Sequence, residues 1–327
     1  MFSVIFRCDA GYVKRIGTGH LFRSITIAKL LIQKFNIPKK KIVFITKTKN
    51  KFSIAKKILK ENNFQNISIK ENAGNTDEYL ILKKLKSSLL IIDKYRTKNT
   101  KYLDKLDKNF KKIILLDAIK HENKNALYIN SLLQNVNKNK IKHVGFKYLI
   151  CPSFLENNRS IIKKEIKRIF LFFGGFDNKN IMKKIIKYFV IKNFKYQLYV
   201  PESLKKLYFK NKKIKYYKNS NIYNFLSSSD LAITSGGLIM FDAINLKKPL
   251  IAIPQYMHQK LNIKKLSKKN CLIHLNLDKY LYENLSKYLL TINNYSRRIK
   301  MLNNQNKILS SNKTPKAIEL IFNEYRK

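Results

Sequence analysis

The chain of 327 residues has no tryptophan, 9 glycines, 3 cysteines and 20 acidic residues against 68 Lys and Arg. Each shortage excludes something. Cys8, Cys151 and Cys271 are widely spaced and lie in or beside apolar segments. That is the pattern of reduced, buried thiols, not of a disulfide framework or a cysteine metal site, and it suits a cytoplasmic protein. No apolar run approaches the length of a membrane span, and the N-terminus passes straight into a strand pattern holding Arg7 and Asp9, without signal or transit character. No GxxxxGK[ST] motif is present, which excludes a P-loop, and no repeat of solenoid length is visible. Neither a DxD pair nor carboxylates at ligand spacing mark a metal site, so no metal and no cofactor is expected.

The scarcity of acids leaves a formal net charge of +48, which would ordinarily raise nucleic-acid or anionic-membrane binding first. The lysines, however, are spread over the whole chain instead of forming one stripe, and the abundance of Lys, Asn and Ile looks like the codon bias of an AT-rich genome. Distributed lysines make solvated faces, so no dedicated nucleic-acid site is expected. The positive potential suits a phosphate-bearing substrate.

What is present is a globular composition, 45% hydrophobic with 20 Phe and 19 Tyr, and a length that fits two domains. Short apolar strand patterns alternate with helical ones: Ser3 to Cys8, Lys41 to Thr46, Asn66 to Lys70, Ser88 to Asp93 and Lys111 to Asp117, then extended pieces at Ala126 to Leu132 and Val144 to Ile150. The texture turns polar from Cys151 to Lys167, with Pro152 and the Asn157–Asn158 pair, which reads as an interdomain linker. The βα rhythm resumes at Arg168 and ends in an amphipathic helix, Ala317 to Tyr325, expected to pack back on the first domain. The boundaries drawn are residues 1–155 and 165–327.

Two turns stand out. Gly17 and Gly19 lie between the first strand and a helix over Leu21 to Leu31, where backbone N–H groups and the helix N-terminus favour an anion. His20 follows directly, either as a general base or as a helix cap, which spacing alone leaves open. His20, Leu21 and Phe22 stand where a dinucleotide fingerprint wants a third small residue, which argues against a nicotinamide cofactor. In the second half, an apolar strand runs into Ser235, Gly236 and Gly237 and then a helix, a second anion cradle, with Asp242 about a turn and a half in, where a carboxylate can accept from ribose hydroxyls. Another strand, Arg168 onward, ends in Gly174 and Gly175 before Asp177, and the strand after Pro249 delivers His258 and Gln259. Asp93 and Asp117 each end an apolar run, at the strand edge where α/β sheets bind ligands or simply as helix caps.

The spacing Arg7, Asp9, Ile16, Gly17, Gly19, His20 and Arg23 resembles, with two extra loop residues, the first motif of the PseG/SpsG-like proteins, UDP-sugar hydrolases related in fold to GT-B glycosyltransferases. IIDKY at Ile91 to Tyr95, LFFGGFDNKN at Leu171 to Asn180 and ITSGGLIMFDAINL at Ile233 to Leu246 extend the likeness through most of the chain. The resemblance implies a GT-B-like α/β fold of two Rossmann-like domains facing a central cleft, and release of UDP from a UDP-linked 2,4-diacetamido-2,4,6-trideoxy sugar of the pseudaminic-acid type. It makes His20 the base that activates water and puts Tyr95 near the reacting sugar. Ser235, Gly236 and Gly237 fall at the diphosphate and Asp242 at the ribose. Arg7, Asp9, Gly17, Gly19, Gly174, Gly175, Asp177, His258 and Gln259 complete the substrate-binding set. The match departs at Lys94, where the family carries His, at Ala118, where a second Asp is usual, at Asp242 in place of Glu, and at His258 in place of Asn. A GT-B glycosyltransferase, with His20 deprotonating an acceptor hydroxyl, is the alternative. A monomer acting on a UDP-sugar is expected.

Overall fold

The computed structural model describes residues 3–11, 13, 16–94, 101–106, 108–118, 125–132, 143–155, 162–175, 177, 179–205, 211–308 and 316–326. The chain divides into two compact units, Met1–Pro152 with Asn312–Lys327, and Ser153–Ser311.

The first unit is built on a seven-stranded sheet: β1 (Val4–Cys8), β2 (Ile42–Lys47), β3 (Gln65–Ile69), β4 (Ser87–Asp93), β5 (Phe110–Leu116), β6 (Leu127–Asn130) and β7 (His143–Val144). Every pairing is parallel and the spatial order is β3-β2-β1-β4-β5-β6-β7. The central strands are buried on both faces, which is why they read as unbroken apolar runs without alternation. Helices α1 (Gly19–Phe35), α2 (Ser53–Glu61), α3 (Asn75–Leu82) and α4 (Lys101–Asp104) cover it. The stretch expected as an extended piece from Val144 to Ile150 pairs only at His143–Val144. Gly145 then takes φ +110°, and Phe146–Tyr148 winds into a single 3-10 turn at the sheet edge.

The second unit carries β8 (Arg168–Phe172), β9 (Gln197–Pro201), β10 (Ile214–Tyr217), β11 (Leu231–Thr234), β12 (Leu250–Ala252) and β13 (Ile273–His274), all parallel, in the order β10-β9-β8-β11-β12-β13. Its helices are α5 (Ile181–Ile191), α6 (Ile222–Ser228), α7 (Leu238–Asn245), α8 (Met257–Lys268), α9 (Leu281–Asn293) and α10 (Tyr295–Asn306). The final helix, α11 (Lys316–Arg326), belongs to the first unit: Phe322 stacks on Phe35 of α1 with ring centroids 3.6 Å apart, and Glu324 meets Lys112 of β5 at 3.3 Å.

Both sheets therefore run 3-2-1-4-5-6 in their own numbering, the first adding a seventh strand beside its sixth, the doubly wound order in which ligands lie at the carboxyl ends of the strands, where the winding reverses. In the first unit that point is β1 beside β4; in the second it is β8 beside β11. The glycine-bearing turns singled out in the sequence follow β1, β8 and β11. With few glycines, asparagine does much of the left-handed turn work: six of the eight positive-φ non-glycine positions among the described residues are Asn, including Asn36, which ends α1.

Candidate active site

In the first unit, β1 and β4 are neighbours in register, with Cys8 opposite Asp93, so the carboxylate of Asp93 emerges beside the turn that leads into α1. His20, in the first turn of α1, places Nδ1 2.7 Å from Asp93 Oδ1. The Asp93 side chain is fully buried and that of His20 is 21% exposed. Burial alone would push the Asp93 carboxyl up, but Arg23 and His20 outweigh it and hold it down at about 2. An ionised Asp93 accepts only, so the proton between them sits on Nδ1 and the lone pair is left on Nε2, the tautomer a general base requires. The N-cap position of α1 is Thr18, whose side chain makes no capping bond, and the His20 ring is turned to Asp93.

One turn along, Arg23 reaches the same carboxylate with a two-pronged grip, Nε to Oδ2 at 2.7 Å and Nη2 to Oδ1 at 2.6 Å, and its Nη1 donates to Asp117 Oδ2. Asp117 ends β5 at φ +49° and also accepts the Leu132 backbone N–H at 3.0 Å. These three residues form the inner wall of the site. The only sequence signal for them was the repeated form of an apolar strand ending in an acid, and the Arg of the loop motif.

Arg7 and Asp9 turn out differently from expectation. Arg7 is 1% exposed, its Nε bound to Glu78 of α3 at 2.7 Å and its two Nη atoms to both Asp9 oxygens at 2.7 and 2.9 Å. Lys94 closes the cluster, donating to both Glu78 oxygens at 2.8 and 3.0 Å. Burial raises the Asp9 carboxyl, but Arg7 pulls it below the ordinary value. Arg7 is thus a strut linking β1 to α3, without a face for a ligand, and Asp9 is its counter-ion and an acceptor for the Lys47 N–H at 3.1 Å. Gly17 takes φ +55° and its carbonyl accepts from Gly11 N–H at 2.9 Å, which folds the turn; Gly19 opens α1. Tyr95 lies outside the described residues.

In the second unit, Ser235–Gly237 joins β11 to α7; the Met240 N–H turns back to the Gly237 carbonyl at 3.1 Å, and the N–H groups before it precede the first i→i−4 bond of the helix. The two glycines serve different ends. A Cβ on Gly236 would sit 2.8 Å from Gln259 Cβ and 2.9 Å from Ile263 Cδ1, so its lack of a side chain lets α8 approach, whereas a Cβ on Gly237 would meet nothing nearer than 3.8 Å. Ser235 is 2% exposed and its N–H donates to Phe172. Gln259 is buried behind the turn, accepting the Gln255 N–H at 2.9 Å, while His258 lies stacked on Tyr256 at 5.7 Å. Gly174 takes φ +84° with open space where a Cβ would be.

Two carboxylates expected to hold substrate are occupied within the protein. Asp177 accepts the N–H groups of Ile181 at 3.0 Å and Met182 at 2.8 Å and so anchors the start of α5. Asp242 is 1% exposed, with Oδ1 accepting the Ser153 N–H at 2.8 Å and the Tyr223 hydroxyl 3.4 Å from Oδ2. A ribose contact is not the role this structure displays for it. Among the described residues, no group of three or more His, Cys, Asp or Glu is arranged to hold a metal, and no helix is long and apolar enough to cross a membrane.

These features can be set beside known proteins. Residues 177–321 match the model of the glycosyltransferase family 28 C-terminal domain. An uncharacterized protein of Methanocaldococcus jannaschii is 29% identical over 289 residues; the alignment takes in 80% of this chain but only 58% of that protein's length. Among solved structures, the spinosyn rhamnosyltransferase SpnG complexed with thymidine diphosphate is similar with a TM-score of 0.64 at 12% identity, covering 98% of this chain and 99% of that one. A UDP-N-acetylglucosamine 2-epimerase gives 0.60 at 14% identity, covering 100% and 97%. MurG of Acinetobacter baumannii gives 0.56 at 13%, covering 99% and 100%. The fold is GT-B-like, two Rossmann-like α/β units in one chain.

Proposed function

We propose that the protein cleaves a UDP-linked amino-deoxy sugar, with water as the nucleophile and His20 as the general base. The contact between His20 Nδ1 and a fully buried, ionised Asp93 carries this reading, because it fixes the tautomer and leaves Nε2 to take a proton. Water attacks the anomeric carbon, its proton passes to Nε2, the C–O bond to the β-phosphate breaks, and UDP departs with the bonding pair. Asp93 stabilises the imidazolium formed on the way. In the second unit, the N–H groups at the start of α7 and the open face of Gly237 suit the diphosphate, supported by the match to a glycosyltransferase C-terminal domain and by the likeness to a fold that binds thymidine diphosphate in SpnG. Tyr95 is assigned to the sugar on the motif resemblance alone.

A glycosyltransferase is the second reading, favoured by the family 28 match, with the same base acting on an acceptor hydroxyl. Incubating the protein with a panel of UDP-sugars, with and without sugar or lipid acceptors, separates the two. Hydrolysis predicts UDP release without acceptor and a free reducing sugar; release confined to acceptor-containing mixtures would establish the transferase.

A further inference from the structure

Arg23 closes the loop motif of the first unit and has no part in the chemistry above. It is 3% exposed, and its three nitrogens are committed to carboxylates: Nε and Nη2 to Asp93, Nη1 to Asp117. Three of its five N–H groups are thereby taken, in a side chain with almost no surface open to a ligand. Among the described residues, the charged groups that face His20 come from α1, β4 and β5. Arg23 lies on the same helix, Asp93 comes from β4 and Asp117 from β5, while Lys94 is turned to Glu78 and Cys8, opposite Asp93 on β1, is a buried neutral thiol.

A lone carboxylate at 2.7 Å strongly favours the imidazolium, and an imidazole already protonated is no base. A guanidinium gripping that carboxylate opposes the bias while keeping the oxygen aimed at Nδ1. We propose that Arg23 is a positioning residue that holds Asp93 in line with His20 and offsets the carboxylate's charge at the imidazole, with Asp117 on its far side setting how much positive charge reaches the pair. This inference rests on His20 as the base.

The two ends of the chain of charges must then act with opposite sign. Removing the cation in Arg23→Gln leaves Asp93 and Asp117 uncompensated, so His20 holds its proton to higher pH. Removing the outer anion in Asp117→Asn leaves Arg23 wholly to Asp93, so His20 releases its proton at lower pH. The His20 Cε1–H resonance, assigned by its loss in His20→Asn, is followed against pH in the full chain, alongside the pH profile of kcat/KM. We expect the midpoint and the acid limb to rise by about one unit in Arg23→Gln and to fall by a smaller step in Asp117→Asn. Arg23→Lys, which keeps the charge but loses the fork, should hold the midpoint and lower kcat about tenfold with KM unchanged. Unmoved midpoints, or shifts of the same sign in the first two variants, would overturn the proposal. Should Arg23→Gln not fold, a midpoint in Asp117→Asn that fails to fall does so on its own. The resonance does not depend on turnover: midpoints that move as stated in a protein whose His20→Asn variant is fully active remove the base and keep the coupling, and static midpoints with an inactive His20→Asn do the reverse.

Discussion

The two units share one strand order and differ in what they place at its reversal point. In the first, the carboxyl ends of β1, β4 and β5 carry Arg7, Asp9, Asp93, Lys94 and Asp117, which pair among themselves and with Glu78, His20 and Arg23 in two buried charge clusters. In the second, the ends of β8 and β11 carry glycines and neutral side chains, with Gln255 and Gln259 tying the backbone. The reversal point thus carries, in one unit, a buried charge network with a histidine on its edge and, in the other, a glycine turn at a helix start. Charge would spoil the second site as surely as glycine would fail to build the first.

The sharpest way to break this contrast is Asp93→Asn. The isosteric amide keeps the volume but lets Nδ1 accept, so the lone pair leaves Nε2; turnover should fall by about 1,000- to 10,000-fold while UDP affinity in the second unit stays within about twofold. Turnover and calorimetry together read it, and parallel losses in both would show that the units are not divided as described.

Acid should separate them next. Asp93 is held at about 2 when folded, below the unfolded value of about 3.9, so its stabilisation is present above pH 4 and lost as pH falls toward 2; Asp9 works in the same direction. For Asp93 alone this is on the order of 2 kcal/mol. In the second unit Asp230, paired with Arg168, is lowered and loses its contribution in acid too, but Asp177 is raised, since burial exceeds the help of its backbone N–H partners, and a raised acid favours the folded state as pH falls. Pepsin between pH 4 and 2 is expected to cut the first unit before the second. The reverse order would contradict the assignment of the charge clusters.

Within the second unit, Asp242→Ala strips the acceptor from the buried Ser153 N–H and should lower stability by about 1 to 3 kcal/mol in urea unfolding. A ribose ligand would instead show as lost UDP affinity at unchanged stability. The smallest effect expected is Gly237→Ala, where a Cβ makes only ordinary contacts, 3.8 Å from Ser235 Oγ and 3.9 Å from Gln259 Nε2: stability should move by less than about 0.5 kcal/mol, and UDP binding should weaken about tenfold as the methyl enters the open face. Gly236→Ala, forced against Gln259 and Ile263, should do the opposite, destabilising by about 1 to 3 kcal/mol.

The fold was legible because the strands of a parallel sheet are buried on both faces and announce themselves as apolar runs, as in Val4–Cys8 and Ser87–Asp93. The glycine turns were legible for the same reason, each breaking such a run. The partners were not. Nothing near Arg7 in the sequence marks Glu78, 71 positions away on α3. Asp242 sits on a helix buried nearly all round, where periodicity cannot say which neighbour its carboxylate meets. His20 was legible as a residue and not in its partner: the carboxylate it meets, Asp93, lies 73 residues on.

The account turns on His20, and one measurement addresses it most directly: turnover of a UDP-linked amino-deoxy sugar in ¹⁸O-labelled water, without acceptor, by the wild type and by His20→Asn. It predicts label at the sugar anomeric carbon and none in UDP, a wild-type rate that falls toward acid pH, and a loss of about 100- to 10,000-fold in the variant with UDP affinity retained. Label in UDP, or a variant as fast as the wild type, would contradict it.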